Sequence, residues 1–136
     1  MKVLLAGGGT GGHVYPAIAI ANKIKEHNPD CEILFVGTKN GIESEIVPKA
    51  GFELKTVTVQ GFKRKIDLDN IKRVFKLCKG LEQSRRIVKK YKPDIVIGTG
   101  GYVSGPVLFN AAMNKRVTIV HEQNSFPGVT NKILSK

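Results

Sequence analysis

The chain reads as an α/β protein, a Rossmann-like, doubly wound parallel sheet with helices on both faces. Three observations predict it. Short apolar runs alternate with helix-length amphipathic ones along the whole sequence. Glycine-rich stretches follow two of the apolar runs, where strands of such sheets hand over to helices. A composition that is 41% apolar over 136 residues suits one domain with a core of its own.

The elements follow in order. Residues 2–6 form the first expected strand. Residues 16–27 form the first helix: Ala17, Ile20 and Ile24 share one stripe at helical spacing, and Asn28-Pro29 ends it. A second strand is expected over residues 32–36. The helix expected over residues 42–50 is weakened by Pro48 and followed by Gly51. Residues 54–59 read as a third strand, and residues 68–91 as a long helical region closed by Lys92-Pro93. A strand over 94–98, a helix over 105–113 and a fifth strand over 117–121 complete the alternation. Thr130 is a candidate cap for a last helix over 131–135, too short to stand alone. The chain is expected to be the front part of a longer protein.

Composition narrows the function. No stretch approaches the roughly 18 apolar residues of a membrane-spanning helix. The opening run Val3-Leu4-Leu5-Ala6 falls short of the about 7–15 residues of a signal-peptide core. Cys31 and Cys78 make neither a disulfide framework nor a metal-ligand spacing, and read as reduced thiols. The formal charge of +11 is concentrated in residues 63–92, which carry 12 Lys/Arg against three Asp/Glu. Such a segment attracts nucleic acid, an anionic membrane face or an acidic substrate, or is simply a solvated helix face.

Phe62-Lys63-Arg64-Lys65-Ile66 opens this segment. In the helix after it, Ile71, Val74, Phe75 and Cys78 alternate with Lys72, Arg73, Lys76 and Lys79. A basic amphipathic helix can lie on a membrane. The alternative is that Ile71, Phe75 and Cys78 face the sheet. Aromatic residues are too sparse among the basic ones for a base-stacking platform, so no nucleic-acid partner is expected.

Three loops at expected strand ends carry the chemistry. The first, Gly7-Gly8-Gly9-Thr10-Gly11-Gly12-His13, has five glycines in six residues. The second is Gly98-Thr99-Gly100-Gly101-Tyr102-Val103-Ser104-Gly105-Pro106. The third is His121-Glu122-Gln123-Asn124-Ser125-Phe126-Pro127-Gly128. The first two share Thr-Gly-Gly-x-Val and each leads into a helix, whose N-terminus offers free N–H groups and partial positive charge. Together they suit a diphosphate. Gly7-x-Gly9-x-x-Gly12 also fits the dinucleotide fingerprint, but the acid that fingerprint wants at the end of the second strand is replaced by Gly37-Thr38-Lys39. Lys39 could instead hold a 2′-phosphate, so an NADP-dependent oxidoreductase stays open as the alternative.

His13 sits at or just inside a helix N-terminus. The positive helix end suits a neutral imidazole, able to take a proton or to donate a hydrogen bond to an oxyanion. His121-Glu122-Gln123-Asn124 places four hydrogen-bonding side chains in a row after a strand read as buried, the kind of group that holds sugars and amides. No metal site is expected there, because His121 and Glu122 have no companion ligand at standard spacing.

Taken together, Gly8-Gly9-Thr10-Gly11-Gly12-His13-x-x-Pro16, Gly100-Gly101-Tyr102-Val103-Ser104-Gly105-Pro106, and His121-Glu122-Gln123-Asn124 with Thr130-Asn131-Lys132 resemble the MurG family. The likeness extends over the whole chain and includes Val47-Pro48-Lys49 and Tyr91-Lys92-Pro93-Asp94. These are bacterial N-acetylglucosaminyltransferases of the GT-B type that work without a metal or other cofactor. The resemblance implies inverting transfer of GlcNAc from UDP-GlcNAc to the C4 hydroxyl of MurNAc in lipid I. The product is lipid II for peptidoglycan.

It further implies that residues 1–136 are the N-terminal, acceptor-binding half, with the C-terminal nucleotide-binding domain missing and the isolated chain inactive. Thr10, Gly11, Gly12 and Asn124 would touch the donor sugar and its diphosphate. Gly100, Gly101, Tyr102, Ser104 and Gly105 would cradle the acceptor diphosphate, and Gln123 would also bind substrate. His13 is a candidate general base or transition-state ligand and Glu122 a supporting catalytic group; which residue takes the acceptor proton stays open. Phe62, Lys63, Arg64, Lys65, Ile66, Lys72 and Arg73 would meet the anionic cytoplasmic face of the membrane, as in a peripheral protein. A non-catalytic module that binds lipid or phosphosugar is the third reading.

Overall fold

The computed structural model describes residues 1–61 and 68–136. Among them, β1 (Lys2–Gly7), β2 (Glu32–Gly37), β3 (Glu53–Thr56), β4 (Ile95–Gly100) and β5 (Val117–Val120) form one parallel sheet in the order β3-β2-β1-β4-β5. The helices α1 (Gly11–His27), α2 (Glu43–Lys49), α3 (Asp69–Tyr91), α4 (Ser104–Met113) and α5 (Val129–Leu134) fall between or after the strands. The expected doubly wound α/β architecture is present.

Alternation along the central strands makes two cores. Leu4 and Ala6 of β1 face Val96, Val107, Leu108 and Ala111 on the side of α3 and α4. Val3 and Leu5 face Val14, Ala17, Ala21 and Phe35 on the side of α1 and α2. Strands covered on both faces need apolar residues at every position, which is why β1 and β4 read as unbroken apolar runs. Ala17, Ile20 and Ile24 pack on the second core as their spacing predicted.

A buried polar cluster joins α3 to α4. The Asn110 amide nitrogen lies 2.9 Å from the carbonyls of Leu81 and Pro106 and from the Ser84 hydroxyl. That hydroxyl is also 3.2 Å from the Pro106 carbonyl. Midway along α3, Gly80 passes so close to the Thr58 carbonyl that a Cβ would lie 2.5 Å from it.

Several boundaries depart from the sequence reading. Helix α1 starts at Gly11, not at residue 16, because glycines are tolerated in a first turn that opens into the site; Pro16 lies inside the helix and gives the Gly12 carbonyl no donor. Strand β3 stops at Thr56, not at residue 59, and the Thr58 N–H donates to the Gln83 side chain of α3 instead of a strand. Strand β5 is an edge with Val117 and Ile119 exposed, so it is not the buried strand expected. Helix α5 starts at Val129 with Gly128 as its cap, so Thr130 lies inside it. Ile71, Val74, Phe75 and Cys78 are exposed; Gly80, Ser84 and Val88 form the buried side of α3, so the sheet-facing alternative for Ile71, Phe75 and Cys78 does not hold.

Candidate functional site

The strand order turns between β1 and β4, and in open parallel sheets the crevice at the carboxyl ends of such strands receives the ligand. The tips are neighbours: Gly7 of β1 is in register with Gly100 of β4, across a small irregularity. The bend after β1 and the bend after β4 therefore lie side by side, as a shared diphosphate site requires.

The two bends differ in what their bare backbone serves. Gly100 and Gly101 have φ of +111° and +83°, and both are pressed against the first bend. A Cβ on Gly100 would meet the His13 ring, and one on Gly101 would meet the Gly8 carbonyl. Gly12 faces open space, with nothing nearer than the Thr10 hydroxyl at 3.7 Å. The N–H groups of Gly11 and Gly12 open α1 and precede any carbonyl they could reach within it. Thr10 is exposed at the cap position, and its hydroxyl makes no cap hydrogen bond. Thr10 and Gly12 are thus exposed at the mouth of the crevice, and Gly11 is half-buried beside the Tyr15 ring.

His13 is the meeting point of the three loops. Its Nδ1 lies 3.1 Å from the Thr99 carbonyl oxygen and 2.8 Å from Gln123 Nε2. One ring nitrogen cannot donate to the first and accept from the second. The carbonyl can only accept, so Nδ1 carries the hydrogen. Gln123 then meets it by presenting its amide oxygen toward Nδ1, where it can accept. This arrangement leaves Nε2 with its lone pair. The Thr99 hydroxyl donates to the His13 carbonyl at 2.7 Å, fixing the backbone as well as the ring.

The third loop is organised by Glu122. One carboxylate oxygen accepts from the N–H and the side-chain amide of Asn124, at 3.0 and 2.9 Å. The other accepts from the Gly128 N–H and Asn131 Nδ2, at 3.0 and 2.9 Å. The N–H of Gly128, then that of Asn124, then the Asn131 amide hold the Glu122 carboxyl down to about 2. A group so committed to its ionised form is a poor proton acceptor. It organises the loop and holds the exposed Asn124 in place, which is compatible with the supporting role expected of it.

The Ser104 side chain differs from the expectation. It is fully buried, takes the Gly100 N–H, and lies 2.9 Å from the carbonyls of Ala6 and Gly100. It locks the two strand tips together and turns away from any ligand. Gly105 is partly covered at the start of α4, and Tyr102 is 58% exposed over Gly61. Lys72 is exposed on α3 and Arg73 is half-buried beside it, whereas Phe62, Lys63, Arg64, Lys65 and Ile66 lie outside the described residues.

Sequence reasoning missed Glu43. Its side chain is wholly buried on α2, where it accepts from the Thr38 N–H and hydroxyl, both at 2.7 Å, and from the Gly9 N–H at 3.0 Å. Burial pushes its carboxyl up, but the N–H groups of Thr38 and Gly9 and the Thr38 hydroxyl outweigh burial and hold it below its ordinary value. The sequence signal was indirect: Gly37 directly precedes Thr38, and Gly41 stands two residues before Glu43. The same carboxylate bears on the dinucleotide alternative. The end of β2, where a ribose would be held, is filled by Glu43, and one amide of the glycine bend is already taken.

Among the described residues no group of three or more His, Cys, Asp or Glu side chains is arranged to hold a metal ion. Nor is any helix there long and apolar enough to cross a membrane.

Comparison with known proteins identifies the family. Residues 3–136 match the Glycosyltransferase family 28 N-terminal domain. The whole chain is 85% identical to the "UDP-N-acetylglucosamine--N-acetylmuramyl-(pentapeptide) pyrophosphoryl-undecaprenol N-acetylglucosamine transferase" of Clostridioides difficile (strain 630), covering 33% of it. It is 62% identical, again over its whole length, to the protein of the same name from Alkaliphilus oremlandii (strain OhILAs), covering 37%. The crystal structure of Acinetobacter baumannii MurG superposes with a TM-score of 0.84 at 32% identity, over 98% of this chain and 38% of that one. The chain therefore spans about a third of the length of these relatives.

Proposed function

The chain belongs to the glycosyltransferase family 28 N-terminal domains, and on that footing we propose that it is the acceptor-binding part of an inverting N-acetylglucosaminyltransferase. The donor is UDP-GlcNAc, the acceptor is the C4 hydroxyl of MurNAc in lipid I, and the product is lipid II. The names of the relatives carry the same donor and an undecaprenyl-pyrophosphoryl acceptor. In this reading a further domain of the protein holds most of the uridine nucleotide. Transfer uses no metal or organic cofactor.

The observation that carries the reading is the convergence of three loops on His13 beside the open start of α1. The acceptor hydroxyl attacks C1 of GlcNAc from the side opposite the diphosphate. The C1–O bond to UDP breaks as the new glycosidic bond forms, and UDP leaves with the electron pair. His13 Nε2 takes the hydroxyl proton, while Thr99 and Gln123 hold the ring in the required tautomer. Amides of Gly11 and Gly12 and the Thr10 hydroxyl meet the growing charge on the leaving diphosphate.

The test is UDP release and lipid II formation by the intact protein supplied with UDP-GlcNAc and lipid I. His13→Ala is expected to lower kcat by about 10²–10⁴-fold while donor binding persists. A wild type that forms no lipid II, or a His13→Ala variant at full rate, overturns the reading. Saturable NADP binding would point to the oxidoreductase instead.

The membrane part of the proposal places the protein peripherally on the cytoplasmic face. Its support is that Ile71, Val74 and Phe75 are exposed on α3 among Lys72, Lys76 and Lys79. Each cation near an anionic surface contributes about 1 kcal/mol. Phe62, Lys63, Arg64, Lys65 and Ile66 join the contact on sequence alone. Reversing Lys72 and Arg73 to Glu is expected to leave the protein in the supernatant when anionic vesicles are sedimented; co-sedimentation equal to wild type overturns this part.

A further inference from the structure

We propose that Glu43 is a positioning residue for sugar transfer: its carboxylate ties the Gly9 amide to Thr38 and so sets the bend from which Gly11 and Gly12 meet the donor diphosphate. The proposal rests on the transferase reading above and adds a residue to it.

Three features of the structure support it. First, a carboxylate wholly removed from water is costly unless its oxygens are hydrogen-bonded, and here both are. Second, the backbone has been cleared around it. A Cβ on Gly8, on Gly37 or on Gly41 would run into the Glu43 side chain. Three positions on two connections thus give up side chains to admit one acid, and Gly8 of the glycine run after β1 is explained by Glu43.

Third, the residue it grips is the pivot of the bend. Gly9 has φ of +87°, which reverses the chain between β1 and α1, and the next residue is the cap Thr10. The neighbouring Gly8 carbonyl is what Gly101 packs against, and Gly100 in turn packs against the His13 ring. A continuous line of contacts runs from Glu43 through Gly8 and Gly9 to the second bend and to His13. The carboxylate itself touches no reacting atom; it acts through the bend.

Glu43→Gln in the intact protein tests this. The amide keeps the shape but presents an N–H₂ group where an acceptor is needed. A displacement of the bend by a fraction of an ångström is expected to cost kcat/KM for UDP-GlcNAc about tenfold, with KM for lipid I within about twofold of wild type. The amides of Gly9 and Thr38 are expected to exchange hydrogen faster, with the thermal midpoint little changed. Thr38→Val, which removes only the hydroxyl bond, is a milder second variant in which about a threefold loss in the same parameter is expected; it decides the matter if Glu43→Gln does not fold.

Donor kcat/KM at the wild-type value in whichever variant folds overturns the proposal. So does a loss confined to kcat that matches the unfolded fraction, with both KM values unchanged, because that is the mark of a staple for the fold alone. A wild type without turnover overturns this proposal and the transferase reading together, whereas a fully active Glu43→Gln overturns this proposal alone.

Discussion

Thr10-Gly11-Gly12-x-Val14 and Thr99-Gly100-Gly101-x-Val103 have the same letters at the tips of adjacent strands, yet they do different work. In the first, Thr10 and Gly12 are exposed and the Thr10 hydroxyl makes no cap hydrogen bond. In the second, Thr99 is wholly buried with its hydroxyl on the His13 carbonyl, and the glycines are bare because the His13 ring and the Gly8 carbonyl occupy the space. One bend is open and the other is filled. The repeated letters reflect two uses of bare backbone, left open in one case and occupied by the protein itself in the other.

The sharpest way to break this comparison is to add one methyl group to each bend. Gly100→Ala puts Cβ against the His13 ring at a φ that disfavours any side chain, and about 2–4 kcal/mol of stability should be lost, read from urea unfolding. Gly12→Ala should change stability by no more than about 0.5 kcal/mol, since its Cβ meets open space. On the proposal that the donor diphosphate meets this bend, it should nevertheless raise KM for UDP-GlcNAc roughly tenfold. Equal destabilisation of the two variants would end the distinction.

The threonines give a smaller effect. Thr99→Val strands the His13 carbonyl and should cost about 1–2 kcal/mol. Thr10→Val should leave the unfolding midpoint unmoved and lower donor turnover instead.

The smallest effect concerns the third loop, which is held by charge and not by glycine. Glu122 has its carboxyl lowered in the folded protein from the ordinary 4.5 to about 2. Its contribution is therefore full above about pH 4.5 and fades as the pH falls toward about 2. Amide protection at Asn124 and Gly128 should follow that window in the wild type. In Glu122→Gln, protection should already be reduced at pH 7 and should not titrate there. Retained protection of Gly128 in the wild type at pH 2 would contradict this account.

Much of this was legible in the sequence. Apolar runs gave the central strands because β1 and β4 are covered on both sides, and the glycine loops gave the crevice because chain reversal at a strand tip leaves a local signature. The start of α1 was misread because Pro16 looks like an opening residue, while the true first turn is made of glycines that score poorly as helix formers. The role of the Ser104 side chain differs from the expectation because a polar residue near a site reads the same whether it faces the crevice or the backbone behind it. Glu43 was invisible for a related reason: its partners lie five residues before it and across the sheet at Gly9, and nothing in a helical stretch marks one acid as buried.

The buried contact between Asn110, Ser84 and the carbonyls of Leu81 and Pro106 has a mechanical consequence. It leaves α3 and α4 no freedom to slide past one another, and α4 begins at the residue that clamps the two strand tips. An α3 resting on a lipid surface would therefore act as a stilt of fixed length, setting the height of the crevice above the bilayer.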